Sequence, residues 1–173
     1  MSILKLVEAD SKFKYELKKV PGAERLTLCL QCGTCSADCP VAKRTEKFRP
    51  RLIAKLAILG FKDKLFSSGV LWLCAGCYTC SERCPQKVKP TEVIAALRRI
   101  CIREGNIPQH YKKMIELIAD MGRLHEVSEF ENEIRADMGL PPVPEANAEA
   151  VKHIISKTGL DKIMGITFTG GEE

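Results

Sequence analysis

The sequence predicts an all-α protein, on three observations. Apolar residues recur at helical spacing through most of the longer segments. Alternating strand patterns are weak throughout, and two cysteine-dense loops interrupt the helical series at a fixed interval. With 173 residues, 45% of them hydrophobic and only 6% aromatic, the chain suits one packed domain with an appended arm, its core built from aliphatic residues.

Taken in order, residues 1–24 form an N-terminal segment, residues 25–105 a domain holding both cysteine loops, and residues 106–173 a helical C-terminal extension. Within the domain, PRLIAKLAILG predicts a helix with Leu52, Ile53, Leu56 and Leu59 on one stripe, stopping near Gly60. KDKLFSS predicts a short helix, and the apolar VLWL leads into Cys74. PTEVIAALRRICIREGN predicts a helix with Thr91 as N-cap, Val93, Ile94, Leu97, Ile100 and Cys101 on its apolar face, and Gly105 as its stop. Beyond Pro108, the spacing of Tyr111, Met114, Ile115, Ile118 and Met121 marks another helix. SEFE at Ser128–Glu131 is a capping-box pattern opening a helix through Met138. Pro141–Pro144 is a stiff linker, and Ala148–Thr158 is a last helix before a Gly-ended tail.

The chemistry lies in the two loops. CLQCGTCSADCP runs from Cys29 to Pro40 and CAGCYTCSERCP from Cys74 to Pro85. Both read C-x2-C-x2-C-x3-C-P, 45 residues apart. This is the bacterial ferredoxin run, whose fourth cysteine ligates the other cluster. Three cysteines at this pitch let a short loop wrap one corner of a cubane, while the fourth lies too far round to close the same cube. The following proline redirects the chain. The expected ligand sets are therefore Cys29, Cys32, Cys35 and Cys84 on cluster 1, and Cys74, Cys77, Cys80 and Cys39 on cluster 2, for two [4Fe–4S] clusters in all. Structural zinc is a poor match, because zinc modules use two separated cysteine pairs around one ion. A disulfide framework goes with secretion, and MSILKLVEADSKFKYELKK carries acids and lysines too early for a secretory h-region. A cytoplasmic setting is expected. No apolar run approaches the roughly 20 residues of a membrane helix, so direct membrane insertion is not expected.

The formal net charge of +5 suggests a polyanion partner only until the clusters are counted. An oxidised all-cysteine cubane carries about two negative charges, so two of them lower the total to about +1. Nucleic acid is not expected as a partner. KRTEKFRPR nonetheless concentrates Lys43, Arg44, Lys47, Arg49 and Arg51 after the first motif, reading either as a solvated run or as cations facing a cluster or an acidic partner. Gly33 and Gly76 each sit directly beside the second cysteine of a motif, where close backbone approach to a cluster needs a residue without Cβ; an ordinary turn glycine fits as well. Cys101 reads as a buried free thiol. His110, His125 and His153 share no ligand-like spacing. No dinucleotide loop, Walker sequence or nucleophile constellation is present, and no catalytic residue is expected.

The chain resembles the C-subunit family of heterodisulfide reductases from methanogenic archaea, the iron–sulfur subunits of those enzymes. The resemblance rests on CLQCGTCSADCP with FRPRLIAKLAILG, LWLCAGCYTCSERCPQ, TEVIAALRRICIREGNIPQHY and EFENEIRADMGLPP, covering most of residues 25–144. It implies a helical ferredoxin-type fold and an electron-relay role between a flavin-containing subunit and a catalytic subunit. The catalytic subunit reduces the disulfide of coenzyme M and coenzyme B in methanogenesis. In such complexes the flavin-containing subunit bifurcates electrons that a hydrogenase or formate dehydrogenase supplies. A diffusible carrier, or the iron–sulfur subunit of a hydroxy-acid or quinone enzyme, is the alternative reading of the cysteine runs alone.

Overall fold

The computed structural model describes residues 5–166, and among these the backbone is helical, with no strand. The chain divides into two compact units, the first ending at Asn106 and the second starting at Ile107.

The first unit is a twofold repeat. Each half opens on a 3-10 turn, Leu26–Leu28 before Cys29 and Val70–Leu73 before Cys74. Each then crosses its cysteine loop into a four-residue helix, α2 (Thr34–Ala37) or α5 (Thr79–Glu82). Each closes with a longer helix whose first residue is proline, α3 (Pro50–Leu59) or α6 (Pro90–Arg103). Proline suits this position because the first helical N–H has no partner inside the helix. One serine per half ties the loop to the helix: Arg51 N–H donates to Ser36 Oγ at 3.0 Å, and Thr91 N–H to Ser81 Oγ at 3.2 Å. The halves meet through α2 against α5 and α3 against α6.

Two of the expectations change here. Thr91 is the second residue of α6 and not its N-cap, because Pro90 takes the first helical position. The buried stripe of α3 is Ile53, Ala54, Leu56 and Ala57, whereas Leu52 and Leu59 are exposed. Small alanines let α3 approach its neighbours, and the larger leucines at the flanks face outward.

A short helix, α1 (Phe13–Leu17), buries Phe13 and Leu17 completely in the core, with Phe13 edge-on to Phe66 of α4 (Lys62–Ser67) at 6.1 Å. Gly60 ends α3 at φ +86°, and its carbonyl accepts from Asp10 N–H at 2.9 Å. Cys101 is fully buried on α6, where its thiol donates to Asn106 O at 3.1 Å.

The second unit comprises α7 (Gln109–Met121), α8 (Glu129–Asp137), α9 (Ala148–Thr158) and a short α10 (Leu160–Met164). The capping box at Ser128 and Glu131 is formed in both directions. Asn132 Oδ1 accepts from Val143 N–H at 3.0 Å and Arg135 Nε donates to Pro141 O at 2.9 Å, so α8 itself holds the proline linker. The last part of the Gly-ended tail, with Gly170 and Gly171, lies outside the described residues. Among the described residues no helix is long and apolar enough to cross a membrane.

Candidate metal centre

Two cavities of the first unit gather the eight motif cysteines. One is lined by Cys29, Cys32, Cys35 and Cys84, the other by Cys74, Cys77, Cys80 and Cys39. Each therefore takes three cysteines from one motif and the last cysteine of the other. The walls between the thiols are mostly apolar: Leu30, Ala54, Pro85 and Val88 in the first, Val41, Phe48, Pro50 and Ile94 in the second. No carboxylate or histidine lines either cavity. This all-thiol set is the soft donor environment that suits iron–sulfur clusters. Among the described residues, no three Cys, His, Asp or Glu side chains close on a single-ion position.

The backbone around the thiols is strained in a repeated way. Among the described residues, the only non-glycines with positive φ are Gln31, Tyr78, Lys87 and Lys89, all inside or just after a motif. The left-handed positions coincide between halves: Gln31 (φ +58°) corresponds to Gly76 (φ +66°), and Gly33 (φ +91°) to Tyr78 (φ +61°). Gly33 follows its second cysteine and Gly76 precedes its own, so the two glycines are not equivalent positions. Each loop uses two left-handed residues, and each half places its glycine at a different one. Such conformations cost roughly 1–3 kcal/mol each in non-glycine residues and cluster at functional sites. The strain turns polar groups toward sulfur. Gln31 Nε2 donates to Cys29 Sγ at 3.3 Å, and Val88 N–H, between Lys87 and Lys89, donates to Cys84 Sγ at 3.3 Å.

The thiols themselves pair across the repeat. Cys32 and Cys77 are exposed, and the hydroxyls of Thr34 and Thr79, each 3.5 Å away, hold these thiols below the usual cysteine range. Burial pushes Cys35 up to about 11 and raises Cys80 in the same direction. Thr91 Oγ1 lies 3.1 Å from Cys80 Sγ. The residue misread as a cap thus belongs to the site.

Sequence reasoning also passed over Arg98. From α6 its guanidinium donates to Leu71 O at 2.7 and 2.9 Å and to Cys74 O at 2.9 Å, and it lies over the Trp72 ring. It fixes the carbonyls on either side of the chain's approach to Cys74. An arginine on the otherwise apolar face of a helix that follows a cysteine motif was the available signal. The three histidines are exposed.

Residues 25–88 match the 4Fe-4S dicluster domain family, and so embrace both motifs. A chain from Methanothermobacter marburgensis, the C-subunit of an "H(2):CoB-CoM heterodisulfide,ferredoxin reductase", is 34% identical over 99% of this chain and 95% of its own length. The chain belongs to the heterodisulfide reductase C-subunit family. A "CoB--CoM heterodisulfide reductase" iron–sulfur subunit from Methanocaldococcus jannaschii is 33% identical over 95% of this chain and 94% of its own. The C-subunit of a "Ferredoxin/F(420)H(2)-dependent CoB-CoM heterodisulfide reductase" from Methanosarcina acetivorans is 35% identical over 75% of this chain and 81% of its own. As a member of the C-subunit family, the chain is part of an oxidoreductase and carries [4Fe–4S] chemistry.

Proposed function

We infer that the chain is the electron-relay subunit of a CoB–CoM heterodisulfide reductase, carrying electrons from a flavin-containing subunit to the catalytic subunit that reduces the CoM-S-S-CoB heterodisulfide. The observation that carries this reading is the crossed lining of the two cavities, four cysteines each. It supports two [4Fe–4S] clusters, one held by Cys29, Cys32, Cys35 and Cys84, the other by Cys74, Cys77, Cys80 and Cys39. Bound cubanes supply one-electron transfer. The chain's own residues hold the thiols in place, through the two serine ties and through Arg98, and set polar groups against sulfur: the hydroxyls of Thr34, Thr79 and Thr91, and the Val88 N–H, which donates to Cys84. Gly33, on the lining of the first cavity, and Gly76 each supply a left-handed position that its loop needs.

The helical extension is the part we assign to partner docking. On α8 and its C-cap residue, Phe130, Ile134 and Met138 recur every fourth residue and are 66%, 43% and 69% exposed. An amphipathic helix that leaves its apolar stripe uncovered suits an interface within a complex better than a free carrier. Nine free cysteines suit a reducing, cytoplasmic compartment. The relative named for H(2) supports a hydrogenase as the electron source in the larger complex, with a formate dehydrogenase, which the family resemblance also implies, as the other source.

The test is heterodisulfide-dependent oxidation of a reduced dye by the holo-chain, with and without the catalytic partner. The holo-chain alone accepts electrons and does not turn over; adding the partner gives turnover. Sustained turnover by the chain alone overturns the relay reading.

A further inference from the structure

Beside the first cluster cavity lies an open cavity of about 580 Å³, lined among others by Gln31, Arg49, Arg51, Leu52 and Lys55. No acidic residue lines it. Among the described residues, none of the three cations has a side-chain hydrogen bond or ion pair, whereas Lys62, Arg83, Lys89 and Lys152 each have a carboxylate partner. Three like charges held around one cavity repel one another unless an anion joins them.

Arg51 lines both this cavity and the one holding Cys29, Cys32, Cys35 and Cys84. Its Nη1 lies 3.7 Å from where a Cβ on Gly33 would stand. The open cavity therefore shares a wall with the proposed cluster site. Exposed apolar side chains accompany the charges: Leu52 on the lining at 45% and Leu30, next to Gln31, at 66%. An apolar patch set among arginines is the composition of a protein interface, and a free small anion gains nothing from Leu30 or Leu52. The second cluster cavity has no counterpart, since no cation lines it.

We propose that this cavity is a docking socket for a carboxylate-bearing, partly apolar protein surface, belonging to the redox partner that exchanges electrons with the site of Cys29, Cys32, Cys35 and Cys84. The proposal rests on the relay reading. It gives the chain two distinguishable ends: a charge-steered one at the first motif and, at the second, one whose cavity has no charged lining.

The test uses the assembled holo-complex and a zero-length carbodiimide, which joins an amine only to a carboxylate in contact with it. Lys55 becomes joined to an Asp or Glu of a partner protein, and the joined peptide is identified by mass spectrometry. Lys55→Arg removes the amine and keeps the charge, so the cross-link disappears and the affinity stays. Arg49→Glu with Lys55→Glu leaves Arg51 and the cysteines untouched, keeps the visible absorption of the isolated chain, and weakens partner binding roughly tenfold or more at low salt. If the complex assembles and conducts while Lys55 remains as acetylatable as in the free chain, the socket is wrong and the relay reading stands. If the socket engages but no electrons pass, the relay reading fails instead. Protection of Lys55 in the isolated chain by inorganic phosphate, with no protection in the complex, makes this a small-anion site and overturns the proposal.

Discussion

Thr91 Oγ1 lies 3.1 Å from Cys80 Sγ, although eleven positions separate the two residues in the chain. The contact exists because Pro90 starts α6 and Ser81 accepts from Thr91 N–H, which together aim the threonine at the second cysteine loop. Cluster potentials respond to hydrogen bonds on the ligating sulfurs. A hydroxyl donated to a thiolate stabilises the more negative, reduced state, so Thr91→Val makes the cluster of the second motif harder to reduce. Redox titration followed by electron paramagnetic resonance checks this. An unchanged potential with intact clusters removes Thr91 from the tuning set.

The crossed cavities predict which cluster each fourth cysteine supports. A holo-chain prepared without oxygen holds about eight iron and eight sulfide. Cys84→Ala damages the cluster of Cys29, Cys32 and Cys35, while Cys39→Ala damages the cluster of Cys74, Cys77 and Cys80. Spectroscopy that resolves the two clusters reports the outcome, and damage confined to the mutated motif's own cluster rules out the crossing.

Gly60 has no room for a side chain. A Cβ there would stand 1.9 Å from Asp10 O, and φ is +86°. Both the steric conflict and the left-handed backbone oppose Gly60→Ala, which destabilises the first unit by on the order of 3 kcal/mol. Denaturant unfolding of the holo-chain measures it. The loss includes the Asp10 N–H to Gly60 O bond that ties the N-terminal segment down.

Cys101→Ala keeps both clusters and costs about 1 kcal/mol in packing. It also changes the pH dependence. Burial pushes the Cys101 thiol up, so the folded chain retains this proton where the unfolded chain loses it. That contribution is complete below the ordinary thiol pKa and is lost as pH rises toward the folded value. As pH climbs past roughly 8.5, the ordinary thiol value, the wild type therefore loses more stability than the variant does. Denaturant midpoints measured across that range report the difference. Iron loss in Cys101→Ala would show a ligand where we see a core thiol.

The sequence carried the helical class, the capping box at Ser128 and the cysteine runs, because each depends on neighbours within one or two turns. It misread Thr91, since a threonine after a proline looks like a cap until the cysteine loop 45 residues beyond the first is folded against it. It put Leu52 and Leu59 on one stripe with Ile53 and Leu56 because helical spacing cannot tell which side of α3 meets α6; the buried side is that of Ile53, Ala54, Leu56 and Ala57. The role of Arg98 was passed over for a similar reason: its place on the helix face is legible, but its partners are backbone carbonyls, which have no identity in a sequence.

The two halves of the first unit differ most in one length. The long helix begins ten residues after the motif proline in the first half, at Pro50 after Pro40, and five residues after it in the second, at Pro90 after Pro85. The longer connection holds Lys43, Arg44, Lys47 and Arg49. A duplicated conductor with matched halves would have interchangeable poles, and nothing in its ligands would tell one wire-end from the other. Extra loop residues add little closure entropy, so a chain can acquire or lose such a pole by insertion and substitution alone, leaving every cysteine where it is. Directionality of this kind evolves separately from conductivity.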